Sequence, residues 1–230
     1  MRNRKHQTDR KRGFTLLESM ISVLLITIVV GAIFRQLQKA QAGYKVEGQK
    51  LDLTQQQREF IDQFTRDLRQ AGYPSPLTSG LGNAVALSDN RVAAGITSIS
   101  PTSVTMEGDI DNSGVVRIVT YWFNNPGACP CTIQRTVGPK GGAATTYTVA
   151  DNLIDPGPQG IFAAYGINGT GIGLPQVLPA TATSGDASYQ NMKKIRSVRV
   201  TFTLQGTSRE LNGVTRTQVT MTGMARIPND

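Results

Sequence analysis

The stretch FTLLESMISVLLITIVVGAIF, residues 14–34, decides the fold of this chain. Its 21 residues are apolar apart from Glu18 and a few hydroxyl side chains. As an α-helix with a rise of about 1.5 Å per residue, the stretch reaches roughly 30 Å, which is the thickness of a bilayer's hydrocarbon core. Residues 14–34 are therefore predicted to form a transmembrane helix.

The residues before this stretch are strongly basic. Residues 1–13 contain six Lys or Arg and one Asp, a net charge of +5 within a total of +8 for the chain. By the positive-inside rule this flank stays in the cytoplasm, so the rest of the chain is expected across the membrane. A cleavable secretory signal would carry a small-x-small site after the apolar stretch, and residues 35–41, RQLQKAQ, offer no convincing one. An uncleaved signal anchor is the alternative that these residues alone leave open.

The helical pattern continues beyond the apolar stretch. A second apolar face recurs with helical spacing at Phe60, Ile61, Phe64 and Leu68. Charged residues, Asp67 among them, are assigned to the opposite side of this helix. The stop signal Gly72-Tyr73-Pro74 then predicts one long helix over 14–72. Gly43 and Gly48 weaken it by about 1 kcal/mol each relative to Ala, which predicts a bend or local melting there.

From residue 73 onward the pattern changes to short alternating runs between clusters of Gly, Pro, Asn, Asp and Ser, which is typical of strands and turns. The last two predicted strands alternate best and are expected to form a hairpin. Gly166–Asn191 shows little pattern and is predicted to be a long surface loop. The whole is an α+β fold, a long N-terminal helix packed on an antiparallel sheet. The predicted strands are Ser103–Glu107, Val115–Phe123, Thr132–Val137, Thr146–Val149, Ile161–Tyr165, Ile195–Leu204 and Arg216–Arg226.

The composition argues against catalysis. The one histidine, His6, lies in the basic tip, so the remaining chain has no imidazole for a nucleophilic dyad or for zinc. No paired-carboxylate, Walker-type or Rossmann-type pattern is present either. We expect no enzymatic activity and no cofactor.

The residues at the start of the apolar stretch carry a specific motif. Gly13-Phe14-Thr15-Leu16-Leu17-Glu18 follows a short basic leader and opens a long apolar segment. It resembles the prepilin motif of type IV pilins and type II secretion pseudopilins. The resemblance implies that a prepilin peptidase cuts between Gly13 and Phe14 and methylates the new N-terminus. Glycine before the cut fits this role, because it lets the peptidase approach the backbone without meeting a Cβ.

Glu18 is the anomaly of the apolar stretch. A carboxylate in an apolar span costs several kcal/mol unless it is paired. After cleavage its partner is the new amine of Phe14, reached within one chain at i,i+4 spacing or in a neighbouring subunit. The family resemblance implies the second, with charge neutralisation drawing each new subunit into register.

Two further segments narrow the resemblance. Residues 66–73, RDLRQAGY, resemble the end of the long helix in PilW-type minor pilins. Residues 107–111, EGDID, with 119–121, VTY, resemble a hairpin of the same group, and pseudopilin J of type II secretion is a near relative. The ending Met224-Ala225-Arg226-Ile227-Pro228 departs from the Arg-Asn ending common in both groups.

This resemblance implies a structural subunit that primes, caps or joins a type IV pilus or a type II secretion pseudopilus. Its partners would be the prepilin peptidase, other pilins and minor pilins, and inner-membrane lipid. Residues 1–13 would be the leader, 14–34 a single-pass inner-membrane anchor, and 73–230 a β-rich domain in the periplasm or, within a pilus, at the cell surface. The alternative is a pilus-tip module that binds DNA or a surface.

Asp109, Asp111 and Ser113, followed by Gly114, match the opening of an EF-hand calcium loop. Position 12 of that register is Thr120 rather than Glu, and no helices flank the segment. The same residues are also expected in a polar hairpin turn. Calcium is kept here as a candidate ligand and the turn as its alternative.

Cys129 and Cys131, separated by Pro130, are the only cysteines. A disulfide is allowed on the oxidising side of the membrane. A bridge within the motif, bridges to another subunit, and free thiols are all open at this point.

DNA binding would need clustered cations, because phosphate neutralisation supplies most of the affinity. The candidate cluster in the β-rich part is Lys193, Lys194, Arg196 and Arg199. A solvated face of a sheet is the alternative role for these residues.

Overall fold

The computed structural model of the chain describes residues 15–76, 85–124, 129, 131–209 and 215–227. Its long helix α1 spans Leu16–Gln70 and is helical throughout, Gly43 and Gly48 included. The chain divides into two compact units between Lys45 and Val46, so the second part of α1 belongs to the same unit as the sheet. The predicted α+β architecture, a long N-terminal helix with an antiparallel sheet, is confirmed.

Ten strands, all paired antiparallel, form one sheet within the described residues. Its order is β7-β6-β9-β5-β4-β3-β2-β1-β8, and β10 pairs with β9. A six-residue helix α2, Ala187–Met192, and a 3₁₀ turn, Gly157–Gln159, lie in the connections. The strands are β1 Gly95–Ile99, β2 Ser103–Gly108, β3 Arg117–Asn124, β4 Cys131–Pro139, β5 Thr145–Leu153, β6 Phe162–Tyr165, β7 Gly171–Ile172, β8 Gln176–Val177, β9 Ser197–Arg209 and β10 Arg216–Arg226.

Each predicted strand overlaps an observed one, and the predicted hairpin is the β9–β10 pair. The prediction of one long loop over Gly166–Asn191 was wrong, because it contains β7, β8 and all but the last residue of α2. Two-residue strands are too short to show a period of two. Helix α2 is stabilised by burial of Tyr189 and Met192, which depends on distant partners rather than on local pattern.

The predicted apolar face of α1 packs on the sheet. The Phe60 ring meets Tyr121 edge-on at 5.7 Å and Phe202 at 5.1 Å, and Phe64 lies 5.8 Å from Phe162. Aromatic pairs in this distance range add about 0.5–1.5 kcal/mol beyond their buried area. Leu68 is fully buried in the same cluster. This face of α1 therefore fixes the sheet on the helix within residues 46–230.

Candidate functional site

The first apolar stretch of α1 has no cover within its unit. Large apolar side chains from Leu16 to Leu37 are exposed on every side of the helix. Within the described residues, α1 is the one helix long and apolar enough to cross a membrane. A helix that is apolar all round requires either a lipid or a protein environment.

The hydroxyl groups of this stretch are satisfied inside the helix. Ser19, Ser22 and Thr27 each donate to a backbone carbonyl three or four residues earlier, at 2.8 Å. Such back-bonding removes the cost of carrying a hydroxyl into an apolar environment. These polar residues therefore agree with burial in lipid or in a helical bundle.

The Glu18 carboxylate, unlike these hydroxyl groups, is not bonded within the described helix. Thr15 caps the helix by accepting the Glu18 amide at 3.3 Å, so the Glu18 backbone is fixed in the first turn. The side chain is exposed, and no described residue bonds its carboxylate. The predicted cleavage residues Gly13 and Phe14, like the predicted leader, lie outside the described residues.

A buried polar cluster joins α1 to the sheet, and the sequence did not reveal it. Asp67 Oδ2 accepts hydrogen bonds from Tyr121 Oη at 2.6 Å and from Arg135 Nε at 2.9 Å. The side chains of Asp67 and Arg135 are only 6% and 11% exposed. The assignment of Asp67 to the solvent side of α1 was wrong. It lies three residues after Phe64, a spacing that returns it to the apolar face.

The protonation of this cluster follows from its surroundings. Burial, followed by the negative charge of Asp67, raises the pKa of Tyr121, so the phenol stays a hydrogen-bond donor. Burial opposes the charge on Arg135, but the hydrogen bonds and electrostatic attraction from Asp67 and Tyr121 together outweigh it and raise the pKa of Arg135. The cluster is thus a buried ion pair with a neutral phenol, a linkage between helix and sheet.

The segments RDLRQAGY and EGDID meet in space. The Gly72 amide donates to the Glu107 carbonyl at 2.8 Å, and the Asp109 amide donates to the Tyr73 carbonyl at 2.8 Å. A Cβ on Gly108 would collide with the Gln70 carbonyl oxygen, so only glycine permits this approach. These two segments therefore hold the end of α1 against the end of β2.

A second buried ion pair lies beside this contact. Lys140 Nζ donates to Glu107 Oε2 at 2.7 Å and also to the carbonyls of Leu87 and Val92. Glu107 Oε2 accepts the Ala94 amide as well, at 3.0 Å. Both side chains are buried. Burial makes an unpaired charge costly, and here the two charges compensate each other, with further hydrogen bonds to backbone groups. This pair fixes the segment before β1 on the sheet.

The candidate calcium residues form a hairpin turn. Asp109 accepts the amides of Ser113 and Gly114, each at 2.9 Å, with its two carboxylate oxygens. Asp111 accepts the Ser113 amide at 3.3 Å and pairs with Arg117 at 2.7 Å. Hydrogen bonds from Ser113 and Arg117 lower the pKa of Asp111 to about 2. Among described residues, no group of three or more His, Cys, Asp or Glu is arranged for a metal ion, and calcium stays a sequence prediction.

Cys129 and Cys131 are joined to each other by a disulfide, with their Cα atoms 4.3 Å apart. Cys129 is exposed, whereas Cys131 is buried at the start of β4. Of the three states that the sequence left open, the structure has the bridge within the motif.

The four candidate DNA-binding cations are engaged locally or separated. Lys193 lies 6.0 Å from the Tyr189 ring, and Lys194 donates to Asn191 at 2.7 Å. Arg199 stacks on a sheet residue, 4.9 Å from the Tyr165 ring centre. Arg196 is partly buried just before β9. DNA binding therefore stays a prediction from sequence.

These features define a class of protein: a single apolar N-terminal helix of membrane-spanning length, extended into an antiparallel β-domain, as in type IV pilins. Comparison with family models matches residues 8–34 to the prokaryotic N-terminal methylation motif. Comparisons with curated proteins and with solved structures give no match. The motif supports a type IV pilin-like protein and implies processing by a prepilin peptidase and assembly with other pilins. The motif and the apolar helix are consistent with a single-pass inner-membrane anchor.

Proposed function

We propose that this chain is a minor pilin or pseudopilin, a structural subunit that primes, caps or joins a type IV pilus or a type II secretion pseudopilus. One observation carries the proposal: the uncovered apolar stretch of α1, which has a single acidic residue, begins within the matched methylation motif. In this proposal residues 1–13 are removed, Phe14 becomes the methylated N-terminus, and the β-domain faces the periplasm. The chain acts by assembly rather than by catalysis.

The proposed role of Glu18 is to neutralise the Phe14 amine of a neighbouring subunit. Each group alone costs several kcal/mol in an apolar environment, and together they cancel most of that cost. The choice of a neighbouring subunit rests on the family resemblance, and the exposed Glu18 side chain is accessible to such a partner.

The RDLRQAGY and EGDID segments support the finer assignment to the PilW-type group. In this chain the two segments contact each other where the end of α1 meets the end of β2, through backbone hydrogen bonds and the close approach at Gly108. Pseudopilin J of type II secretion shares the plan. Co-purification with pilus subunits rather than with secretion-system subunits would separate the two machines.

Processing is tested by mass spectrometry of the protein from cell membranes. We expect Phe14 at the N-terminus, with the added mass of a methyl group. Gly13→Val places a branched Cβ at the proposed cut and should accumulate as the uncleaved chain. An intact leader on the wild-type protein, in cells with an active prepilin peptidase, would contradict the assignment.

Assembly is tested by Glu18→Gln and Glu18→Ala. Both variants should be inserted and cleaved, and both should be lost from the filament fraction, because the incoming amine has no counter-charge. Glu47→Gln is the matched control, since Glu47 is an exposed acid on the same helix beyond the apolar stretch. Normal incorporation of both Glu18 variants would show that apolar packing and the β-domain suffice.

A further inference from the structure

The sheet face turned away from α1 carries a straight row of threonines. Thr105 on β2 lies opposite Thr120 on β3, Thr120 opposite Thr136 on β4, and Thr136 opposite Thr146 on β5. Ser98 on β1 extends the row, opposite Thr105. Directly opposed residues point to the same face, and neighbouring strands are about 4.8 Å apart. The row is therefore a regular line of hydroxyl groups across five strands.

The only tryptophan of the chain lies beside this row. Trp122 alternates with buried Tyr121 and Phe123, so it faces away from α1. Its indole Nε1 donates to Thr136 Oγ1 at 3.4 Å, which turns the partly exposed ring toward the threonine row. Gln134 lies directly opposite Trp122, and no residue in the described ranges bonds its side-chain amide.

The hydroxyls of the row keep bonding capacity. Thr105 pairs with Thr120 at 3.1 Å, and Thr136 pairs with Thr146 at 2.9 Å. A hydroxyl has one proton and two acceptor sites, so each pair leaves one proton and further acceptor sites for a ligand. Threonine, tryptophan and glutamine are all uncharged.

We propose that this surface, made of Trp122, Gln134 and the threonine row and here named the Trp122 platform, binds a neutral polysaccharide. A sugar ring has an apolar C–H face, which fits the indole, and a rim of hydroxyls, which fits the amide and the threonines. A charged ligand would lose hydration on this face without gaining a counter-charge. The repeat of hydroxyls from strand to strand favours an extended chain of sugars over a single ring.

Nucleic acid fits this platform less well. Its bases would stack on the indole, but its phosphates require cations, which the platform lacks. Sugar binding by the Trp122 platform would be a function separate from the proposed assembly role. A subunit can enter a filament through α1 whether or not this face binds sugar.

The test uses the full chain in a zwitterionic detergent without sugar head groups, with cellohexaose and chitohexaose as probes. Trp122 reports binding of the wild-type chain by its own fluorescence, and calorimetry measures the variants. We expect saturable binding that Trp122→Ala weakens about tenfold or more. Gln134→Ala should weaken it less, and Trp122→Phe should retain part of it.

Tyr147→Ala is the matched control. Tyr147 is an aromatic residue of β5 and 51% exposed, but it lies opposite Arg135 and so faces the other side of the sheet. Sugar binding by this variant should equal that of the wild type, as should the melting temperature of every variant that is compared.

Three results would overturn the proposal. The first is no binding of either neutral oligosaccharide, and the second is equal binding by Trp122→Ala. The third is self-association that Trp122→Ala abolishes while no sugar binds, which would make the face a contact between copies. The assay needs no filament, so its failure leaves the Glu18 test unaffected, and failure of the Glu18 test leaves this one intact.

Discussion

Asp67→Asn removes the charge at the centre of the buried cluster and keeps the side-chain shape. The carboxylate accepts from Tyr121 and Arg135 at 2.6 and 2.9 Å, and the Arg135 side chain is 11% exposed. The substitution leaves that guanidinium buried without a counter-charge. Breaking a buried pair in this way costs about 3–5 kcal/mol. Domains unfold with about 5–15 kcal/mol, so the loss is a large fraction of the total.

The assay is thermal unfolding of the full chain in detergent, followed by the fluorescence of Trp122. For a domain of this size, each kcal/mol shifts the melting temperature by about 2–4 °C, so a fall of about 6–20 °C is expected. Asp62→Asn is the control, because Asp62 is an exposed acid on the same helix. Its effect should stay within about 0.5 kcal/mol.

Equal melting temperatures for Asp67→Asn and Asp62→Asn would show that the buried ion pair does not stabilise the fold. A double-mutant cycle with Arg135→Met gives a second reading of the same interaction. The coupling energy should be at least about 1 kcal/mol if the ion pair links helix and sheet, and near zero if water replaces the missing partner.

Other substitutions test separate parts of the molecule. Gly108→Ala should destabilise the chain by about 1–3 kcal/mol, because its Cβ would lie 2.9 Å from the Gln70 carbonyl carbon. Gly48→Ala, with nothing within 4 Å, should instead stabilise it by about 0.5–1 kcal/mol in the same melting experiment. The lowered pKa of Asp111 adds stability that is present above its unfolded value near 3.9 and is lost as pH falls toward about 2. The carboxyl chemical shift of Asp111 in the wild type should titrate at about pH 2, and Asp111→Asn should remove this group's contribution to the pH dependence of the melting temperature between pH 2 and 6. Deletion of residues 1–40 should give a soluble β-rich fragment by circular dichroism, because the buried residues of α1 begin at Val46. A fragment that aggregates under all refolding conditions would place the boundary of the folded unit elsewhere.

Several features were predictable because their signals are local. The apolar stretch and the methylation motif are contiguous residues, and the face of Phe60, Phe64 and Leu68 follows from helical period alone. The β9–β10 hairpin was predicted because both strands alternate over ten or more residues. Asp67 has the spacing of the apolar face, whereas its charge favours the solvent side. Charge indicates the solvent side only when no buried partner exists, and here Arg135 is that partner.

Other features depend on which distant residues meet. The partners of Asp67 are 54 and 68 positions away in sequence, and Lys140 lies 33 positions from Glu107. Their pairing is fixed by strand order and register, to which local propensity contributes little.

The sequence by itself determined that this chain has a leader-like basic tip, an apolar stretch of membrane-spanning length with one acidic residue, and a β-rich remainder. Helical period, strand alternation and apolar length are properties of neighbouring residues, so they can be read along the chain. Only the tertiary structure decided that Gly108 must admit the end of α1, and that Thr105, Thr120, Thr136 and Thr146 align in one row beside Trp122. These arrangements arise from the register between strands, in which a shift of one residue would turn each side chain to the opposite face.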